Sequence, residues 1–179
     1  MSNKNNILET FRWRMGIYCP GQHIQIGIGN ANANVVVVQP RSKMPTRDAI
    51  TGALRNNNML SDAYRATSNM VEGGSDAQNR YYLKELIEII QPLIVVACGP
   101  EATSLLRQRK IRTFASHVGK TFRIPDLTNC VCYAVIDPAE YGFARASQAL
   151  KTQGQDEWAN LAKLYNKLKI KKEKERWTC

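Results

Sequence analysis

Long apolar runs are missing from this sequence of 179 residues. No window reaches the roughly 18 consecutive apolar residues that a membrane span needs. The start, Met1 to Glu9, is polar and asparagine-rich rather than built like a secretory leader. A membrane role is therefore excluded from the expectations, and the expected compartment is the cytoplasm. The five cysteines, Cys19, Cys98, Cys130, Cys132 and Cys179, are odd in number and irregular in spacing, so no disulfide framework is expected. Cys130 and Cys132 alternate along an apolar run and share a face, but without two further ligands they make no zinc site. Acidic residues are also short: 15 Asp and Glu face 25 Lys and Arg, a formal charge of +10. The sequence pI of about 9.6 exceeds the value near 9 that marks many nucleic-acid binders. The alternative is a solvated basic face that keeps the protein soluble.

What is present is the material of a globular core. A hydrophobic share of 44% and a charged share of 22% are those of a folded chain, and the length suits one domain spanning residues 1–179. Ile7 to Tyr18 reads as a short helix or an arm, ended by Cys19-Pro20-Gly21. Asn30 to Asn34 is a turn-forming run, followed by Val35 to Val38, four β-branched residues that predict a strand buried on both faces. The spacing of Ala49, Ile50, Ala53 and Leu54 predicts a helix from Thr46 to Met59. Tyr64 to Val71 is ambiguous, with a short strand ending near Ser68-Asn69 as one reading, and Glu72 to Asp76 is a loop.

From Gln78 to Gln91, Leu83, Leu86, Ile87 and Ile90 line one face of a helix that Pro92 stops. Leu93 to Cys98 is a second buried strand, Gly99-Pro100 a turn, Glu101 to Arg109 a helix, and Cys130 to Ile136 a third buried strand. This alternation predicts an α/β fold of three layers, α/β/α, around a mostly parallel four-stranded sheet. Trp158, Leu161, Leu164, Tyr165 and Leu168 predict an amphipathic helix from about Gln153 to Trp177. Seven basic residues fall between Lys163 and Arg176 against Glu173 and Glu175, which concentrates positive charge in the tail.

Open parallel sheets bind ligands at the carboxyl ends of their strands. Three corners stand there: Gln39-Pro40-Arg41, Ser68-Asn69 and Asp137-Pro138. Each has an ordinary reading as turn punctuation. Together they resemble a family. The segment Gly29-Asn30-Ala31-Asn32-Ala33-Asn34-Val35 to Pro40 is similar to the opening motif of the uracil-DNA glycosylase superfamily. Tyr64 to Val71 resembles the superfamily segment whose Asn reads the base, and Tyr82 to Ala102 its helix, strand and Gly turn. Ala134 to Tyr141 resembles the second active-site motif. The matches run in order from Cys19 to Tyr141, and the pattern is closest to the family 4-like and mismatch-specific branches.

The resemblance implies a DNA-binding hydrolase that cleaves the N-glycosidic bond of uracil or another modified base flipped into a pocket, with no cofactor and no metal. By that resemblance Asn69, with Ser68 and Pro40, holds the base, Gln39 and the loop after it hold sugar and water, and Asp137 closes the minor-groove side. Arg41, Lys43 and Arg47 meet phosphates. Lys120 and the tail residues Lys169, Lys171 and Lys172 add DNA contacts. His117 is the one further candidate acid or base, an exposed loop histidine being its other reading, and His23 is left as structural or exposed.

The sequence departs from the family pattern at several points. Gln39 stands where several branches place an acidic residue, and an amide is a weak base. Asp137 replaces a His or Asn, and as an anion it repels a departing anionic base. No Phe follows the first motif, and Met44 is a poor substitute. Cys19 has Gly16 at the position of a paired cysteine, so no iron-sulfur cluster is expected. Two alternatives stay open: a catalytically altered DNA-binding member, one with strand-cleaving activity included, and a small-molecule-binding α/β protein. A monomer is expected, and the size and divergence suit a phage-borne protein in host-cell cytoplasm.

Overall fold

The computed structural model describes residues 3–40, 44–125, 127, 129–142 and 146–177. Its centre is a six-stranded mixed sheet in the order β1-β3-β2-β4-β6-β5. The strands are β1 (Ile28–Gly29), β2 (Val35–Gln39), β3 (Ala63–Thr67), β4 (Ile94–Cys98), β5 (Thr121–Phe122) and β6 (Val131–Val135). β3, β2, β4 and β6 run parallel, while β1 and β5 add antiparallel edges of two residues each. The expected four-stranded sheet is thus corrected to six. Two-residue strands carry no readable alternation, so β1 and β5 are set by the neighbour they pair with rather than by their own sequence.

Among the described residues six α-helices accompany the sheet: α1 (Asn3–Tyr18), α2 (Met44–Asn56), α3 (Asp76–Ile90), α4 (Gly99–Arg107), α5 (Pro138–Gly142) and α6 (Gln148–Trp177). The strand period of two sends alternate valines to opposite faces. Val36, Val38, Val95 and Ala97 pack with Phe11 and Met15 of α1, Leu83, Leu86 and Ile87 of α3, and Leu105 and Leu106 of α4. Val35, Val37, Ile94, Val96 and Val135 pack with Ile50 and Leu54 of α2 and Trp158, Leu161 and Tyr165 of α6. Helices therefore cover both faces, and the four valines of β2 are completely buried, as a strand between two helix layers requires. Fully burying one such side chain is worth about 1.5–3 kcal/mol.

Local chemistry fixes the boundaries. Ser75 caps α3, its hydroxyl accepting from the Gln78 N–H, and Gln91 ends it in the left-handed region at φ 53°. That end falls one residue before Pro92, where the residue preceding proline is barred from continuing the helix. α4 begins at Gly99, two residues earlier than the sequence suggests, with Pro100 in its first turn, where a missing N–H costs nothing. The N-terminal segment is a full helix of 16 residues rather than an arm, since Phe11 and Met15 are buried against α3. Among the described residues no helix is long and apolar enough to cross a membrane.

Candidate active site at the carboxyl edge of the sheet

The carboxyl ends of the parallel strands emerge along one edge. They present, in spatial order, Ser68-Asn69 after β3, Gln39-Pro40 after β2, Gly99 after β4 and Ile136-Asp137 after β6. From β2 the chain turns outward to β3, and from β4 it turns the other way to β6. The loops after β2 and β4 part there, and such a divergence leaves a crevice suited to a ligand.

A cavity of about 560 Å³ opens on this edge, lined among others by Ser68, Asn69, Asn79, Glu101 and Ser104. Its most ordered feature is a pair of amides. Asn79 is 3% exposed and its Oδ1 accepts from the Val71 N–H at 2.8 Å. That bond decides which end of the amide is oxygen, so Asn79 Nδ2 donates to the carbonyls of Gly74 (3.2 Å) and Ser75 (3.3 Å). The same nitrogen donates to Asn69 Oδ1 at 3.3 Å. Asn69 is oriented in turn, with its oxygen engaged and its NH₂ group left to donate to an acceptor in the cavity.

Beside it the Ser68 hydroxyl donates to the Glu101 carboxylate, and the Ser68 N–H donates to the Gln39 carbonyl at 2.8 Å. Glu101 is placed by the first turn of α4, which starts from Gly99 at φ +78°, a conformation costly for any other residue. Arg80, Arg109 and Lys110 also line the cavity. The Nε of Arg80 is shut off from solvent and has no hydrogen-bond partner among the described residues. The site thus combines an oriented amide, a carboxylate with a hydroxyl, and cations.

Gln39 opens elsewhere. It lines a second cavity of about 540 Å³ with Gly27, Arg65 and Thr67. Its Oε1 is buried with no hydrogen-bond partner among the described residues. Pro40 follows it, half-buried. Asp137 is 6% exposed and serves α5: its Oδ1 accepts from the Ala139 N–H at 3.0 Å and its carbonyl from the Glu140 N–H at 2.8 Å. Burial raises its pKa above the usual 3.8, against the lowering effect of that N–H bond. The same burial, with Asp137 adding to it, raises Glu140 and the enclosed Cys98 thiol. The ends of β3 and β6 stand three strands apart, roughly 14 Å at ~4.8 Å per strand.

His117 lies farther along, in the turn before β5, where the Gly119 N–H donates to the Ala134 carbonyl at 2.9 Å. It does not line the Asn69 cavity. The Arg107 guanidinium is 3.1 Å from His117 Nδ1, and since Arg cannot accept, Nδ1 must. Desolvation, then Arg107, Lys120 and Arg109, lower its pKa from 6.5, which keeps the ring neutral at pH 7. Exposed Lys120 shares this corner.

Arg41 and Lys43 lie outside the described residues, as does the side chain of Arg47. Lys169, Lys171 and Lys172 are placed at the opposite edge of the sheet. Lys169 pairs with Asp62 at 3.1 Å, just before β3 begins, while Lys171 and Lys172 stand with Leu93 and Val131 at the starts of β4 and β6. The sequence reading missed Glu101, Asn79, Arg80, Arg109 and Lys110. Glu101 had a signal, an acid two residues after the Gly that follows a buried strand; Asn79, inside a helical pattern, had none. No protein-family model matches the chain, and comparison with curated proteins finds no significant match.

Proposed function

We propose that the protein is a DNA-binding hydrolase of uracil-DNA glycosylase type that removes a carbonyl-bearing base from its deoxyribose. The observation that carries this reading is the Asn69 amide, fixed by Asn79 with its NH₂ group left for a ligand, at the position the family resemblance gives to the base-reading residue. A parallel sheet centre with helices on both faces is the three-layer architecture which that resemblance implies, and the site's place at the strand ends agrees with it.

In this reading the flipped base enters the cavity, and the Asn69 N–H donates to a base carbonyl oxygen. The Glu101 carboxylate, held by Ser68, orients a water molecule and supplies negative charge beside the developing oxocarbenium sugar. The water oxygen bonds to C1′ as the C1′–N bond breaks, and the bonding pair leaves with the base. Glu101 accepts the water proton and later releases it to the departed base. Arg80, Arg109 and Lys110 contact the flanking phosphates. Glu101 thus fills the acidic role that Gln39 cannot.

A second reading, DNA binding without base release, is favoured by one observation: Asp137 is engaged as the cap of α5 where the resemblance asks for a donor to the base. The test uses labelled single- and double-stranded DNA carrying one uracil, with abasic-site formation and direct strand cleavage measured separately. The expected result is abasic sites with the wild-type protein and a loss of roughly 10²–10³ in rate with Asn69→Ala. No product despite salt-sensitive binding replaces this reading with the second, and salt-insensitive binding replaces both with a small-molecule ligand.

A further inference from the structure

The edge opposite the candidate site carries a second concavity, about 880 Å³ in volume, between α6, β5 and the starts of β4 and β6. Its four cations come from three separate stretches of chain, which the fold gathers. Lys4 comes from the first turn of α1, Arg123 follows β5, and Lys171 and Lys172 come from α6. On α6 the groove is faced by Leu168, Lys171, Lys172 and Glu175, positions i, i+3, i+4 and i+7 that form one stripe of a helix. Lys4 Nζ donates to the Ile90 carbonyl at 2.8 Å. Its pKa is lowered by burial and by Lys172, as expected where cations are crowded together. Phe122 gives the groove an apolar wall, its ring stacked with the Arg107 guanidinium 5.3 Å from the centroid.

We propose that this groove is a second nucleic-acid site, which holds the phosphodiester backbone of a single strand independently of the Asn69 cavity. Four cations around a concave surface with an aromatic wall suit a strand whose phosphates follow the charges and whose bases stack. A membrane surface does not fit, because the apolar side chains Trp158, Leu161 and Tyr165 of α6 are buried against the sheet. Among the described side chains of this helix Ile170 is the exposed large apolar one, and a surface-bound helix needs a continuous apolar stripe. The two sites face away from each other across strands of five residues, about 16 Å at ~3.3 Å per residue. A straight duplex seated on one edge does not reach the other. A protein with both sites holds two segments of nucleic acid, or wraps one flexible strand around the sheet. This inference does not depend on the base-excision reading.

The experiment measures binding of a fluorescent oligothymidylate, which contains no uracil, over a salt series by anisotropy. It compares wild type, a groove variant (Arg123→Ala, Lys171→Ala, Lys172→Ala) and a charge-matched control (Arg55→Ala, Lys163→Ala, Lys167→Ala) at exposed positions outside the groove. Circular dichroism confirms that each is folded. The groove variant is expected to bind at least tenfold more weakly and to lose about 2 from the slope of log affinity against log salt, at ~0.7 per phosphate contact. The groove variant is expected to lose the same factor in an Asn69→Ala background as in wild type. Equal losses in the groove variant and the control overturn the proposal, since they show charge without a site. A groove-variant loss that disappears in the Asn69→Ala background also overturns it, by making the two sites one. If inorganic polyphosphate competes as well as the oligonucleotide per phosphate, the groove is a phosphate site and not a nucleic-acid one. Abasic-site formation on a short uracil oligonucleotide at saturating protein is read in parallel, so the failure of either proposal is separate from that of the other.

Discussion

The two edges of the sheet differ in how they use polar groups. At the carboxyl edge hydrogen bonds are directional and successive: Val71 orients Asn79, Asn79 orients Asn69, and Ser68 holds Glu101. At the amino edge the groups are long and point-like: Lys4, Arg123, Lys171 and Lys172 surround an open groove. Asp62 at that edge receives the Tyr165 hydroxyl and Lys169, which ties α6 to the sheet. An edge of the first kind can distinguish one ligand from another, because a misplaced acceptor leaves a donor unpaired. An edge of the second kind responds to charge and hence to salt.

The largest expected effect follows from loosening the amide pair. Asn79→Ala leaves the buried Val71 N–H without its acceptor, at a cost of about 1–3 kcal/mol, and frees Asn69 to rotate. Base excision is expected to fall by roughly 10²–10³, with a lower melting temperature. A variant that keeps full excision breaks the claim that this edge works by orientation. Next is Glu101→Gln, which keeps a partner for Ser68 but removes the base. A loss of roughly 10² in single-turnover rate is expected, with DNA affinity retained, and a wild-type rate would remove Glu101 from the mechanism.

Smaller effects come from pH. The Tyr165 hydroxyl, opposed by burial and helped by Lys169, lowers the Asp62 pKa below 3.8. The ionised form therefore stabilises the fold above that value, and the contribution is lost as pH falls through the lowered pKa. Asp62→Asn is expected to flatten the stability curve between pH 5 and pH 2, by less than about 1 kcal/mol for a partly exposed pair. The sign reverses at Asp137, whose pKa is raised, chiefly by burial. Its contribution is fully present below 3.8 and is lost as pH rises through the raised value. Asp137→Asn keeps an oxygen for the Ala139 N–H and removes the buried charge, so denaturant titration at pH 8 is expected to find it as stable as wild type or more so. A clear loss there means that the carboxylate itself is needed.

Much of this architecture could be read in advance where burial is two-sided. Val35 to Val38, Leu93 to Cys98 and the heptad-like face of α3 announce themselves because each is long enough for its period to show. The edge strands β1 and β5 do not, since two residues have no period, and α5, which starts at the Asp137-Pro138 corner, is only five residues long. The corners at Gln39, Ser68-Asn69 and Asp137 were visible as strand ends. The partners that give them a role were not: Asn79 lies ten residues from Asn69 and Glu101 lies 33 from Ser68, and neither distance has a sequence signature.

The tail illustrates the same division most sharply. Its charge and helical period are local properties, and they determined from the sequence that Gln153 to Trp177 would form a basic helix. Which edge of the sheet that helix reaches is a tertiary property. Trp158, Leu161 and Tyr165 seat α6 across one face of the sheet, and Asp62 receives its last anchored turn at the amino edge. Lys171 and Lys172 are thereby carried away from Asn69. Burial patterns along a chain determine which segments become strands and helices, but only long-range packing decides which strand ends, amides and cations come to face one another.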